Sequence, residues 1–97
     1  MPNITIYTTP YCPYCVRAKD LFDKLTLKYT TIDVSENESL REEMIKKSGG
    51  RRTVPQIFFD DQHIGGYDDL YALYKSKGLE AYFILPGGAA PRTPAGG

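Results

Sequence analysis

Cys12-Pro13-Tyr14-Cys15 holds both cysteines of this 97-residue chain. Two thiols at this spacing can cycle between dithiol and disulfide, and their reactivity is set by what lies beneath them. Pro13 suits the first position of a helix, where its missing N–H removes nothing. Cys12 then becomes the N-cap, its sulfur facing backbone N–H groups near Tyr14 and Cys15 that have no intrahelical partner. A thiolate accepts those hydrogen bonds and lies at the positive end of the helix dipole. The dipole is worth roughly 0.3–2 kcal/mol, so hydrogen bonds to the sulfur must supply the rest of any large shift. Cys-x-x-Cys thiols at helix starts reach pKa values of about 3.5–7. The expectation is a Cys12 that is largely thiolate at neutral pH. Cys15, one turn in, is expected to point inward and stay protonated.

Other readings of the pair are weaker. A Cys12–Cys15 staple would close a very small loop, which stabilises least in the loop-entropy account. A closed zinc site wants four ligands, and one chain supplies two Cys and His63. Two buried, inert thiols fit poorly with a strand-turn-helix setting. Composition narrows the rest. Lys and Arg total 12 and so do Asp and Glu, so a net charge of zero offers no global field for nucleic acid or an anionic membrane. The amino terminus lacks a basic segment followed by a long apolar run, and Ala81 to Leu85 is too short to span a bilayer. The expectation is a cytoplasmic protein, with no nucleic-acid or membrane partner.

These thiols need elements to position them. Asn3 to Thr8 alternates as a strand. From Pro13 to about Leu27, Val16, Ala18, Leu21, Phe22 and Leu25 fall at helical spacing. Tyr29 to Val34 is rich in β-branched and aromatic residues and reads as a second strand. Ser35 and Glu38 fit a capping box that opens a helix through about Lys47, stopped by Ser48-Gly49-Gly50. Val54 to Phe59 and Gln62 to Ile64 read as a hairpin turning at Asp60-Asp61. Asp68, after Gly65-Gly66, is a good N-cap for a helix bearing Leu70, Tyr71, Leu73 and Tyr74 and closed by Gly78. Leu79 to Leu85 reads as a last short helix. Residues 1–86 form one domain on this reading, and residues 87–97, rich in Pro, Gly and Ala, are a tail with too little apolar surface to order itself. The order βαβαββα implies an α/β fold with a mixed four-stranded sheet and helices on both faces. A Cys-x-x-Cys beside a βαβ unit is the thioredoxin-like signature.

Ile6-Tyr7-Thr8, Cys12-Pro13-Tyr14-Cys15, Thr53-Val54-Pro55 and Gly65-Gly66-Tyr67-Asp68-Asp69 occur in an order and spacing that resemble a dithiol glutaredoxin of the small bacterial type. The resemblance covers roughly residues 3–85. It implies a glutathione-dependent thiol–disulfide oxidoreductase that reduces protein disulfides and glutathione mixed disulfides, with Cys12 as nucleophile and Cys15 as resolving thiol. It further implies a glutathione site at Tyr14, Thr53, Val54, Pro55, Gly66, Tyr67 and Asp68, with Asp69 as an alternative to Asp68. Pro55 is expected to be cis, freeing the Val54 backbone to pair with the tripeptide like an added strand. Gly65-Gly66 permits close backbone approach, and the N–H groups that follow suit a carboxylate. Arg51 or Arg52 is a candidate for the glycyl carboxylate; a dibasic loop is more often simply solvated. His63 reads as a surface strand residue.

The implied partners are glutathione, as co-substrate, and disulfide-containing or glutathionylated proteins, ribonucleotide reductase among them at the family level. No metal and a monomeric state are expected. Two alternatives stay open: reduction by thioredoxin reductase instead of glutathione, and a glutathione-ligated iron–sulfur carrier. One position departs from the family pattern. Many glutaredoxins carry Lys three residues before the first cysteine, where this chain has Thr9, which implies weaker attraction for the glycyl carboxylate. Tyr11 also stands where smaller polar residues are common.

Overall fold

The computed structural model describes residues 2–83. In chain order these form β1 (Ile4–Thr8), α1 (Pro13–Lys24), β2 (Thr30–Asp33), α2 (Glu38–Lys47), β3 (Gln56–Phe59), β4 (Gln62–Gly65), α3 (Tyr67–Lys75) and a 3-10 turn over Gly78–Ala81. The sheet order is β2-β1-β3-β4, with β1 parallel to β2 and the other two pairings antiparallel. This is the expected mixed four-stranded sheet.

The period-two alternation of the strands divides the core. Ile4, Ile6, Ile57 and Phe59 face α1 and α3, where Ala18, Leu21, Phe22, Leu25, Leu70 and Leu79 pack on them. Tyr7 and Phe58 point the other way and pack with Val34 and Met44 under α2. Tyr7 donates its hydroxyl to Glu43 at 2.7 Å, tying β1 to α2. Desolvation, followed by the Glu43 carboxylate, pushes the Tyr7 phenol up to about 12. Val16, expected on the inner face of α1, is half exposed beside the cysteines.

Helix boundaries differ from the expectations where an unusual residue does the work. α1 ends at Lys24, short of Leu27, because Thr26 takes a left-handed conformation at φ 62. Its N–H meets the Asp23 carbonyl and the Leu27 N–H meets the Phe22 carbonyl, which together satisfy the last turn. α2 closes in the same way at Gly49, as its sequence suggests. In α3 the left-handed residue is Lys77, and Gly78 begins the next turn.

Two N-caps also differ. Ser35 does not cap α2; its N–H donates to the Asp33 carboxylate at 2.8 Å. The chain turns two residues later, where Asn37 Oδ1 accepts the Leu40 N–H at 3.0 Å. The N-cap of α3 is Gly66, with Asp68 inside the first turn. β2 and β3 are shorter than expected, β3 starting only after Pro55. Of the expected final helix, the turn at Gly78–Ala81 is present. Residues 84–97, which include the rest of that helix and the whole expected tail, lie outside the described residues.

Candidate active site

β1 delivers the chain to the site and α1 carries it away. Thr8 is buried at the end of β1, and a turn at Pro10-Tyr11 brings the backbone to the surface. Cys12 follows in extended conformation (φ −102, ψ 112) as the N-cap of α1, with Pro13 at the first helical position. Its sulfur accepts the Cys15 N–H at 3.2 Å. In the thiol form its S–H lies 3.5 Å from the Val54 carbonyl, to which it donates.

The two thiols are free and differ in environment: Cys12 is partly exposed and Cys15 is buried. Desolvation raises the Cys15 pKa, its hydrogen bond to Cys12 adds to the rise, and Thr8 and the Thr9 backbone oppose it. One sulfur therefore stands at the surface with a backbone donor aimed at it. The other is held neutral one turn below.

Beside Cys12 lies a cleft of about 540 Å³ that draws on three separate parts of the sequence. Tyr14 contributes from α1. Arg51, Thr53, Val54 and Pro55 contribute from the loop before β3, and Gly66, Tyr67, Asp68 and Asp69 from the start of α3. The Val54–Pro55 bond is cis, as the resemblance implies. A Cβ on Gly66 would stand 3.5 Å from the Pro55 carbonyl oxygen, so the two loops meet there. The Tyr14 and Tyr67 rings are 6.2 Å apart at one wall.

The α3 end of the cleft is rich in backbone donors. Asp69 reaches back to accept the Gly66 N–H at 3.0 Å, half of a capping box. Glycine has no side chain to supply the other half, so the first-turn N–H groups are left without a side-chain cap. Arg51 pairs with Asp69 at 3.7 Å across the cleft floor. Arg52 does not line the cleft; its carbonyl accepts the Arg41 guanidinium at 2.9 Å. Tyr11 is 89% exposed outside the cleft rim.

A supporting network escaped the sequence reading. Gln56 is wholly buried, and its amide nitrogen donates to the Thr53 carbonyl at 3.0 Å and to Thr53 Oγ1 at 3.3 Å. Its remaining oxygen must then accept, so His63 donates through Nε2 at 2.7 Å. His63 is half buried against Phe58, with ring centroids 5.0 Å apart, and is more than the surface strand residue expected. The available signal was a polar Gln opening an otherwise apolar strand. No group of three or more His, Cys, Asp or Glu among the described residues is arranged to hold a metal ion.

Comparison with known proteins agrees with this geometry. A family model described as Glutaredoxin matches residues 4–64. Glutaredoxin 3 of Escherichia coli (strain K12) is 54% identical over 80 residues, covering 82% of this chain and 95% of that protein. Glutaredoxin 1 of Rickettsia felis is 45% identical over 96 residues, covering 98% of this chain and 92% of that protein. Among solved structures, the Brucella melitensis glutaredoxin superposes with a TM-score of 0.73 at 47% identity, covering 84% of this chain and 87% of its own. A buckwheat glutaredoxin–glutathione complex superposes with a TM-score of 0.73 at 31% identity, covering 80% of this chain and 73% of its own.

Proposed function

The chain belongs to the glutaredoxin family of glutathione-dependent thiol–disulfide oxidoreductases with a dithiol Cys-x-x-Cys active site, and on that premise we propose that Cys12 is the attacking sulfur and Cys15 the resolving one. The Cys12 thiolate attacks the glutathione sulfur of a glutathionylated protein. A Cys12–glutathione disulfide forms and the protein thiolate leaves, taking a proton from solvent. A second glutathione thiolate then attacks the glutathione sulfur of that disulfide, releasing oxidised glutathione and the Cys12 thiolate. When the target is a protein disulfide, Cys12 forms a mixed disulfide with it and Cys15, after losing its proton, displaces the target. The resulting Cys12–Cys15 disulfide is reduced by two glutathione molecules in successive exchanges.

The observation that carries this assignment is the pair of unequal sulfurs: an accessible one held by a backbone donor at 3.2 Å, above a buried one. The adjoining cleft supports a tripeptide site. The Val54 backbone at the cleft suits main-chain pairing, and the uncapped N–H groups at Tyr67 and Asp68 suit the γ-glutamyl carboxylate. Asp68 is the candidate for the γ-glutamyl ammonium, because Asp69 is already engaged with Gly66 and Arg51. Arg51 is the candidate for the glycyl carboxylate, Thr53 and Pro55 shape the loop between them, and Tyr14 flanks the bound sulfur. Arg52 drops out of the assignment, since it does not line the cleft.

The test is a glutathione-coupled assay on wild type, Cys12→Ser and Cys15→Ser, with a glutathionylated peptide and with a protein disulfide. Cys12→Ser is expected to lose both activities. Cys15→Ser is expected to keep deglutathionylation and lose reduction of the protein disulfide. Retention of activity in Cys12→Ser defeats the assignment. Running the wild type in parallel with thioredoxin reductase as the reductant identifies its electron donor.

A further inference from the structure

α1 and α3 pack on the same face of the sheet, and between their outer surfaces runs a second groove, of about 600 Å³. Its wall on α3 is a row of tyrosines. Tyr67 stacks on Tyr71 with centroids 5.8 Å apart, and Tyr71 lies 6.1 Å from Tyr74. Cations border the row: Lys75 and Lys77 at the end of α3, with Lys24 and Arg17 facing them from α1. Lys75 stands 5.8 Å over the Tyr71 ring and Arg17 stands 5.2 Å over the Tyr14 ring. Asp20 is the groove's one acidic lining residue.

This is a concentration of positive charge in a chain whose net charge is zero. The ion pairs among the described residues are Lys47–Glu43 and Arg51–Asp69, so the four groove cations have no carboxylate within ion-pair distance there. The groove is also continuous with the site already described. Tyr67 lines both cavities, so one tyrosine is shared by the cleft beside Cys12 and the head of the groove. The nine residues of α3 rise about 13 Å, the span of about four residues of extended chain.

We propose that this groove docks an acidic segment of the protein substrate, a few residues removed from the sulfur that Cys12 attacks. Tyrosine faces and lysine stems supply apolar contact, and the ammonium groups supply charge complementarity and orientation. The proposal rests on the oxidoreductase reading and adds a substrate class to it: disulfide proteins with carboxylates flanking the reactive cysteine. On that reading glutathione takes the neighbouring cleft, so the groove bears on protein substrates and leaves low-molecular-weight disulfides untouched.

The experiment uses one disulfide peptide with acidic, neutral or basic flanks, and three proteins: wild type, Lys24→Gln/Lys75→Gln/Lys77→Gln, and the same three lysines changed to Glu. Wild type is expected to turn over the acidic peptide with kcat/KM about tenfold above the neutral one at low salt, the preference shrinking as salt is raised. The Gln protein should lose the preference and the Glu protein should invert it toward the basic peptide. All three should reduce a low-molecular-weight glutathione mixed disulfide equally, which also reports that they fold. Equal turnover of acidic and neutral peptides by wild type overturns the proposal, as does a preference that survives in the Gln protein. An NMR titration of wild type with a cysteine-free acidic peptide reads the groove without catalysis. Shifts confined to α1 and α3 support docking, and shifts elsewhere or none overturn it. A wild type with no glutathione-coupled turnover would instead sink the activity reading, and the titration would still decide the groove.

Discussion

The backbone N–H of Cys15 donates to the Cys12 sulfur across 3.2 Å, while the Cys15 side chain is itself buried. One residue therefore serves the pair twice, as a donor through its backbone and as a reserve thiol through its side chain. Burial raises the Cys15 pKa above the ordinary thiol value, so Cys15 stays in its thiol form at neutral pH. Iodoacetamide at pH 7 is expected to alkylate Cys12 and leave Cys15, with one fast equivalent per chain and at least about a tenfold rate difference. Peptide mapping by mass spectrometry checks it. Two fast equivalents would contradict the inequality.

Arg51 and Arg52 look alike in sequence and separate in the structure. Arg51 lines the cleft and pairs with Asp69, whereas Arg52 turns its carbonyl to Arg41. Arg51→Gln is expected to raise KM for glutathione about two- to fivefold, the size of one half-exposed charge pair, with little change in kcat. Arg52→Gln should leave both near wild type. Thr9→Lys should move KM the other way by adding the cation that many relatives carry. Steady-state kinetics with glutathione varied at fixed disulfide resolves all three, and equal effects from the two arginines would return them to a merely solvated loop.

Much of this was legible in the sequence because local signals agreed. Ile4 and Ile6 alternate, Pro13 starts a helix, and Gly49 stops one in the left-handed conformation that glycine favours. The misreadings share a cause. Thr26 and Lys77 adopt that same conformation without being glycine, so no glycine marked the end of α1, and in α3 the left-handed residue falls one position before Gly78. The cap of α2 is Asn37, two residues after Ser35, whose own N–H donates to Asp33. In the site, the cysteines follow from spacing alone. The cleft does not, because Tyr14, Val54 and Gly66 meet only through the sheet order, and the Gln56 network behind Thr53 depends on which face of β3 is buried.

Among the described glycines, Gly65 is the one whose replacement meets both a backbone and a packing obstacle. Its φ is +123, and a Cβ at that position would collide with the Asp69 carboxylate that holds the Gly66 N–H. Gly65→Ala is expected to cost about 1–3 kcal/mol of stability. By displacing Asp69 it should also raise KM for glutathione. Gly49→Ala also meets a left-handed φ, +72, but has open space around it, so it should destabilise without touching KM. Urea denaturation alongside kinetics distinguishes the two, and an unchanged KM in Gly65→Ala would show that Asp69 does not shape the cleft.

His63 makes the Gln56–Thr53 support sensitive to acid. Its pKa lies below 6.5, first because burial disfavours the imidazolium and second because the Arg51 charge does, with Asp69 partly opposing. The Nε2–H that donates to Gln56 is present in both protonation states, so protonation costs desolvation and repulsion while the hydrogen bond persists. The folded chain therefore binds the proton less readily than the unfolded chain. Stability from this residue is fully present above pH 6.5 and is lost as the pH falls through the lower folded value. The Asp33 carboxyl, lowered by its hydrogen bonds to Ser35, adds a loss of the same sign only below pH 4. Melting temperature is expected to fall between pH 7 and pH 5 in wild type and to fall less in His63→Gln, which retains a donor for Gln56 and cannot protonate. Parallel slopes for the two proteins across that window would remove His63 as the cause.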